Sequence, residues 1–203
     1  MNNQNSQNSN SPDATDTCLV ACPIFRQELE YLLTELNLAP RISYMHYAIH
    51  NNPSKMDDQL QKSIEKSTDT CKKIRFLVGR HCDSEKGIDG VVKECGGQVP
   101  EAKNCIDMLI GHELAEKLQE NRTSLMTPAW IRMITQSIQD GNWSITDARI
   151  NLGWYDKILI LDTGVEPLSD EQIMAFYDLI QVEIDILPVN LEHFKTVLQN
   201  LLQ

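Results

Sequence analysis

The chain has 203 residues, ordinary apolar and charged fractions of 41% and 23%, a formal charge of −11 and a pI near 4.8. That length suits one well-buried domain. The acidic balance excludes wrapping nucleic acid or lying on an anionic membrane, since both would repel it, and no apolar stretch approaches the roughly 20 residues of a membrane-spanning helix.

Residues 1–17, MNNQNSQNSNSPDATDT, are polar and rich in Asn and Ser. They read as a disordered tail, having nothing to bury against the entropy of ordering. A secretory signal needs a basic start and an apolar segment, and neither is present. The expected compartment is the cytoplasm, where thiols stay reduced. Six cysteines there are expected to be ligands, reactive thiols or core residues rather than disulfides.

From residue 18 onward, short apolar runs alternate with helical patterns. The runs are Cys18–Cys22, Ile42–Ile49, Ile74–Gly79, a weaker Ser124–Met126, Lys157–Leu161 and Ile184–Leu187. Rich in Ile and Val and spaced by helices, they read as strands of a mostly parallel sheet. Phe25, Leu29, Leu32, Leu33 and Leu36 form one helical face that ends at Pro40. A second helix is expected from Pro53 to about Ser67, with Leu60 and Ile64 inward, and a third from Cys105 to Leu118, broken at Gly111. Thr127-Pro128 opens a fourth, since the hydroxyl caps and proline is tolerated in the first turn. Ser169 and Gln172 have capping-box spacing ahead of Ile173, Phe176, Tyr177 and Ile180, and a last helix buries Leu191, Phe194, Leu198 and Leu201.

No internal repeat or linker interrupts the body. The pattern predicts a single three-layer α/β domain over residues 18–203, a mostly parallel sheet with helices on both faces, Rossmann-like in class. Ligands in such folds bind outside the carboxyl ends of the strands, at a switch in strand order. Here those ends deliver Cys22, His50, Cys82 and Asp162.

Each residue has a bland reading beside the chemical one. Cys22, held extended by Pro23, lies near the amino end of the next helix, whose dipole favours a thiolate, or it is a small core hydrophobe. Cys82 sits in the polar loop GRHCDSEKG, an unusual place for a structural cysteine, and its neighbour His81 is read as facing solvent. Cys105 opens a helix, where the dipole again favours thiolate. His50 precedes Asn51, Asn52 and Pro53, and its case rests on the company it keeps. Cys18, four residues before Cys22 on one strand, stands ~13 Å from it and is read as core. Cys71 and Cys95 are read as structural, His46 as packed or exposed, His112 and His193 as lying on helix surfaces.

Three cysteines and a histidine make a zinc set, and three thiolates also suit an iron–sulfur cluster with an open iron. The tight C-x-x-C pairs of zinc ribbons are missing. Asp162-Thr163-Gly164 ends the strand KILIL; the Gly supplies a turn, and Asp162 bonds either loop N–H groups or a cofactor in the crevice. The phosphate-loop, dinucleotide, zinc-protease and serine-hydrolase motifs are all absent.

Taken in order, VACPIFRQEL, HNNPSKMDDQL, LVGRHCDSEKG, VPEAKNCIDMLIG, MTPAWI and LILDTG resemble an uncharacterised family of bacterial and archaeal proteins, a domain of unknown function, over roughly residues 17–202. The family is encoded beside corrinoid-dependent methyltransferases of anaerobes. The resemblance implies that its early cysteine is Cys22, its histidine before a proline-led helix His50, its glycine-x-cysteine loop Gly79 to Cys82, and its proline-arginine-x-histidine-aspartate-cysteine-isoleucine motif Pro100 to Ile106. The chain departs from the last motif at Glu101, Lys103 and Asn104, so the role of the motif histidine is lost or moved, His81 being one place for it.

The expectation is therefore a cytoplasmic metal- or metallocofactor-binding protein of corrinoid-dependent methyl transfer. Cys22, Cys82 and Cys105 would ligate zinc, iron–sulfur or a corrinoid's metal, with His50 fourth or in the second shell, and a corrinoid protein or methyltransferase would be the partner. A metal-free thiol or redox enzyme using Cys82 or Cys105, and a non-catalytic partner protein, are the alternatives. The cobalamin-binding D-x-H-x-x-G signature is absent.

Overall fold

The computed structural model describes residues 16–46, 53–82 and 84–203. The expected tail, His50 and the last residues of the second apolar run fall outside or largely outside them.

All six apolar runs are strands: β1 Thr17–Ala21, β2 Arg41–Tyr44, β3 Lys73–Leu77, β4 Thr123–Met126, β5 Lys157–Asp162 and β6 Glu183–Pro188. Every pairing among them is parallel, and the class is α/β. The strands do not form one sheet. They divide into two three-stranded sheets, ordered β2-β1-β3 and β4-β5-β6.

The helices follow the periodicity: α1 Arg26–Glu35, α2 Pro53–Thr68, α4 Cys105–Ile110, α5 His112–Leu118, α6 Pro128–Gln139, α8 Asp170–Ile180 and α9 Glu192–Leu202. Gly111, at φ 83°, breaks the third pattern into α4 and α5 as expected. Thr127 accepts from Trp130 N, and Ser169 with Gln172 forms the expected capping box. Two short helices were not anticipated, α3 Ile88–Glu94 and α7 Ile145–Leu152.

The two strand orders explain the packing. In the first sheet the chain leaves β1 for β2 and then crosses to the far side of β1 for β3. Right-handed crossovers therefore put α1 and α2 on opposite faces. Their stripes, Leu29, Leu32 and Leu33 from α1 and Met56, Leu60 and Ile64 from α2, are buried in one cluster with Leu19, Val20 and Phe76. In the second sheet both crossovers step the same way, so α6, α7 and α8 share a face. That face buries Ile131, Ile134, Leu152, Phe176 and Ile180 against Met126, Ile158 and Ile160. Leu125 and Leu161, in the alternate register, belong instead to the first core.

The last helix ties the halves together. Leaving β6, α9 returns to the first sheet and buries Phe194, Leu198 and Leu201 in its core. Phe194 stacks on Phe25 with ring centroids 4.7 Å apart. The buried Arg75 donates through Nε to the Leu201 carbonyl at 2.7 Å, satisfying an acceptor at the helix end.

The cysteine expectation needs one correction. Cys18 and Cys71 form a disulfide, their Cα atoms 5.7 Å apart. Cys71 lies in the turn before β3, and β3 pairs alongside β1 with Thr17 opposite Lys73. A partner 53 residues away becomes a neighbour only through that pairing, which strand pattern alone does not reveal.

Candidate functional site

The strand order of the first sheet reverses at β1. Connections leave the carboxyl end of β1 one way and approach β3 the other, the arrangement that opens a binding crevice in parallel sheets. Cys22 occupies that spot. Its N–H donates to the Leu77 carbonyl at 3.1 Å, continuing the β1–β3 pairing one residue past the strand. Pro23 then starts a short 3₁₀ turn, Pro23–Phe25, with Cys22 extended at φ −64°, ψ 131°.

Cys82 and Cys105 are brought to the same place by a strap. Residues 97–104 run parallel beside β3: Gln98 bridges Arg75, Arg80 N–H donates to the Ala102 carbonyl at 3.0 Å, and His81 N–H to the Lys103 carbonyl at 2.8 Å. The strap covers an edge strand whose backbone groups would otherwise be unpaired. It also requires glycine at 79. A Cβ there would stand 2.5 Å from Asn104 Cα and 2.6 Å from the Lys103 carbonyl oxygen. Without a side chain, the loop turns tightly, with Cys82 N–H donating to the Gly79 carbonyl at 3.1 Å. Asp57 of α2 holds the loop's far side, accepting from Ser84 Oγ, Glu85 N and Lys86 N. At the strap's end Asn104 caps α4 by accepting from Asp107 N at 2.9 Å, which presents Cys105 in the first turn.

The three thiols feel one another. Cys22 is buried, and Cys82 and Cys105 are half-buried. Burial, then the nearby Cys105, and more weakly Cys82, push the Cys22 thiol far above its ordinary range; a hydrogen bond from the Ile24 backbone opposes them. Cys105 is raised to about 11, chiefly by burial; the Trp130 indole works against this, and Cys82 adds to it. Trp130 Nε1–H donates to Cys105 Sγ at 3.4 Å. Helix dipoles were expected to favour thiolates at both positions. A three-residue 3₁₀ turn and a six-residue helix carry too little dipole to offset desolvation, so both sulfurs are neutral thiols near neutral pH. Among the described residues, no set of three His, Cys, Asp or Glu is arranged to hold a metal ion. The sulfurs are gathered without forming a ready coordination shell.

The other expected positions sort as follows. His50 lies outside the described residues. His81 is exposed and joins the strap through its backbone alone. Asp162 bonds its own turn, accepting from Gly164 N at 2.9 Å through Oδ1, while its carbonyl accepts from Val189 N. Thr163 instead donates to Glu28 Oε1 of α1 at 3.0 Å, linking the two halves. Glu28 is buried, its Oε2 has no hydrogen-bond partner among the described residues, and burial holds its carboxyl above the usual range. Arg132 of α6 braces the same loop through the Glu166 and Pro167 carbonyls. Sequence reasoning missed Trp130, Asp57 and Glu28. Trp130 had a signal, since MTPAWI is one of the resembling segments; Asp57 and Glu28 sit in ordinary helical patterns and had none.

Fold and crevice define an α/β protein with three coupled thiols at the switch point of a parallel sheet. Residues 44–198 match the family described as "Protein of unknown function (DUF1638)", and the chain belongs to it. No curated protein matches. A solved structure titled as a transcription regulator like protein from Staphylococcus haemolyticus is similar at 12% identity and a TM-score of 0.41, over 92% of each chain. At that level the fold assignment rests on the chain's own topology. No helix among the described residues is long and apolar enough to cross a membrane.

Proposed function

We propose that the chain takes a thiophilic transition metal onto Cys22, Cys82 and Cys105: zinc, an iron–sulfur centre or the metal of a corrinoid. His50, fourth ligand or second shell in this reading, enters on its place at the end of the second apolar run and on the resemblance; corrinoid-dependent methyl transfer and a corrinoid protein or methyltransferase as partner enter on the resemblance alone. One observation carries the proposal. Three thiols from three separate segments converge at a strand-order switch, mutually coupled and largely dry.

Soft cations are the natural occupants of such a gathering, because sulfur binds them better than oxygen or water does. Loading requires the sulfurs to draw together and release their protons, so affinity rises with pH. The raised pKa of Cys105 counts against it as the nucleophile of the metal-free thiol enzyme, which needs a depressed pKa, and leaves Cys82 as that reading's candidate. The deciding measurement is metal content of protein purified without oxygen, with Cys22→Ser and Cys105→Ser in parallel. The proposal expects near-stoichiometric zinc, iron or cobalt that both substitutions abolish. Less than roughly a tenth of an equivalent, with no uptake of added zinc or ferrous iron at pH 8, sinks it. Rapid alkylation of one cysteine at neutral pH in that same sample would favour the thiol enzyme instead.

A further inference from the structure

The first turn of α6 is built to hold one side chain still. The buried Thr127 accepts through Oγ1 from Trp130 N at 3.3 Å, and the buried Pro128 takes the position where its missing N–H costs nothing. Trp130 is thereby fixed in the first turn of a twelve-residue helix. That helix belongs to the second sheet, where its Ile131 and Ile134 are buried in the second core. The indole nevertheless reaches the first unit. Among the described residues Trp130 is the one partly buried side chain packed against both cores, and its ring N–H ends on Cys105 Sγ at 3.4 Å.

The other donors to that sulfur are backbone groups of its own turn, Cys105 and Ile106 N–H. The indole is the donor that comes from the other unit. A thiolate that gives one lone pair to a metal keeps others, so the indole bond is compatible with a loaded site, where it draws charge off the sulfur. We propose that Trp130 is the positioning residue of the thiol site, fixing Cys105 Sγ from the second unit and staying on it when a metal is bound. The inference rests on the metal reading of Cys22, Cys82 and Cys105 and adds what regulates it. Packing of the second unit, carried by one ring, sets the place and the charge of one ligand sulfur. A metal that binds best with the ring in place favours, in turn, the packing of the two units that puts it there.

The test uses the full chain, kept from oxygen, and cobaltous ion, a stand-in for zinc whose sulfur-to-metal charge-transfer band reports how strongly the thiolates donate. Trp130→Phe keeps a ring in place and deletes the N–H. It weakens cobalt binding about tenfold, the usual loss when a group bonded to a ligand atom is removed. The band moves to longer wavelength, because a sulfur without that bond gives up electron density more readily. Placing 3-benzothienylalanine at position 130, an indole isostere with sulfur in place of the N–H, gives the same shift, which separates the hydrogen bond from packing. Trp154→Phe, at an exposed ring beside Arg122, changes neither reading. In metal-free protein, the indole N–H signal that Trp130→Phe removes from the NMR spectrum moves in Cys105→Ala and stays put in Cys95→Ala. The inference is overturned if the benzothienyl protein keeps the parent's affinity and band, or if that signal ignores Cys105→Ala. A parent that takes up no cobalt sinks the metal reading and with it the role on a loaded sulfur, while the indole signal still decides whether Trp130 holds Cys105.

Discussion

The two sheets are built from the same parts, three parallel strands with crossover helices, yet Cys22, Cys82 and Cys105 all lie in segments around the first. Its order, β2-β1-β3, reverses direction at β1, and Cys22 sits at the reversal. The second, β4-β5-β6, steps one way throughout, so its order has no switch point. Its Asp162-Thr163-Gly164 turn is consumed by its own hydrogen bonds and by Glu28. The first unit is also the reinforced one: a disulfide at the amino ends of its strands, a strap along β3, and α9 borrowed from the other half. Strand order, rather than strand content, determines where polar and soft groups collect, and the unit holding them is cross-linked against opening.

Three experiments break or sharpen that contrast. The largest effect belongs to the Cys18–Cys71 bond. A closed loop of this length contributes about 4 kcal/mol by restricting the unfolded chain, so Cys18→Ser or reduction lowers the unfolding free energy measured in urea by that amount. Hydrogen exchange then rises in β1 and β3 before β5. Unreduced, denatured, metal-free protein titrates four thiols; six would mean that the bond does not form and the first unit is not clamped.

Next come two glycines at matching places, each just past a strand. Gly79→Ala forces its Cβ against strap backbone, at a cost of about 3 kcal/mol, and parts Cys82 from Cys105. Gly164→Ala meets nothing within 4 Å, and only its φ of 72° resists, costing about 1 kcal/mol. Equal losses in urea unfolding would remove the distinction between a packed and an open strand end.

The smallest effect is at the joint. The Glu28 carboxyl is raised by burial, so the folded state holds its proton to higher pH than the unfolded chain does. Its contribution is greatest below the unfolded value near 4.5 and declines as pH rises from there through the folded pKa. Glu28→Gln cannot ionise, which flattens this decline and raises the melting temperature at neutral pH relative to the parent. A steeper decline in the variant would contradict the assignment.

Much of this was legible in the sequence. Six strands and seven helices followed from apolar period, Pro and capping residues, and the strand-end rule picked out Cys22 and Cys82. The missed helices are short, seven and eight residues, too few turns for a period to show. Ser144 with Asp147 did carry a capping box for the second of them. The division into two sheets was not readable, because pairing partners are chosen in three dimensions. The same gap hid the Cys18–Cys71 bond and the strap that carries Cys105. Burial likewise reversed the expected thiolates, since solvent exclusion depends on packing that no local pattern encodes.

The Arg75 hydrogen bond to Leu201 spans 126 positions, from the middle of the first unit to the last turn of the chain. During synthesis, then, the earliest strands emerge long before the helix that completes their core. The nascent first half must wait on the ribosome with Phe25 uncovered, a long-range closure that slows folding and gives chaperones a window.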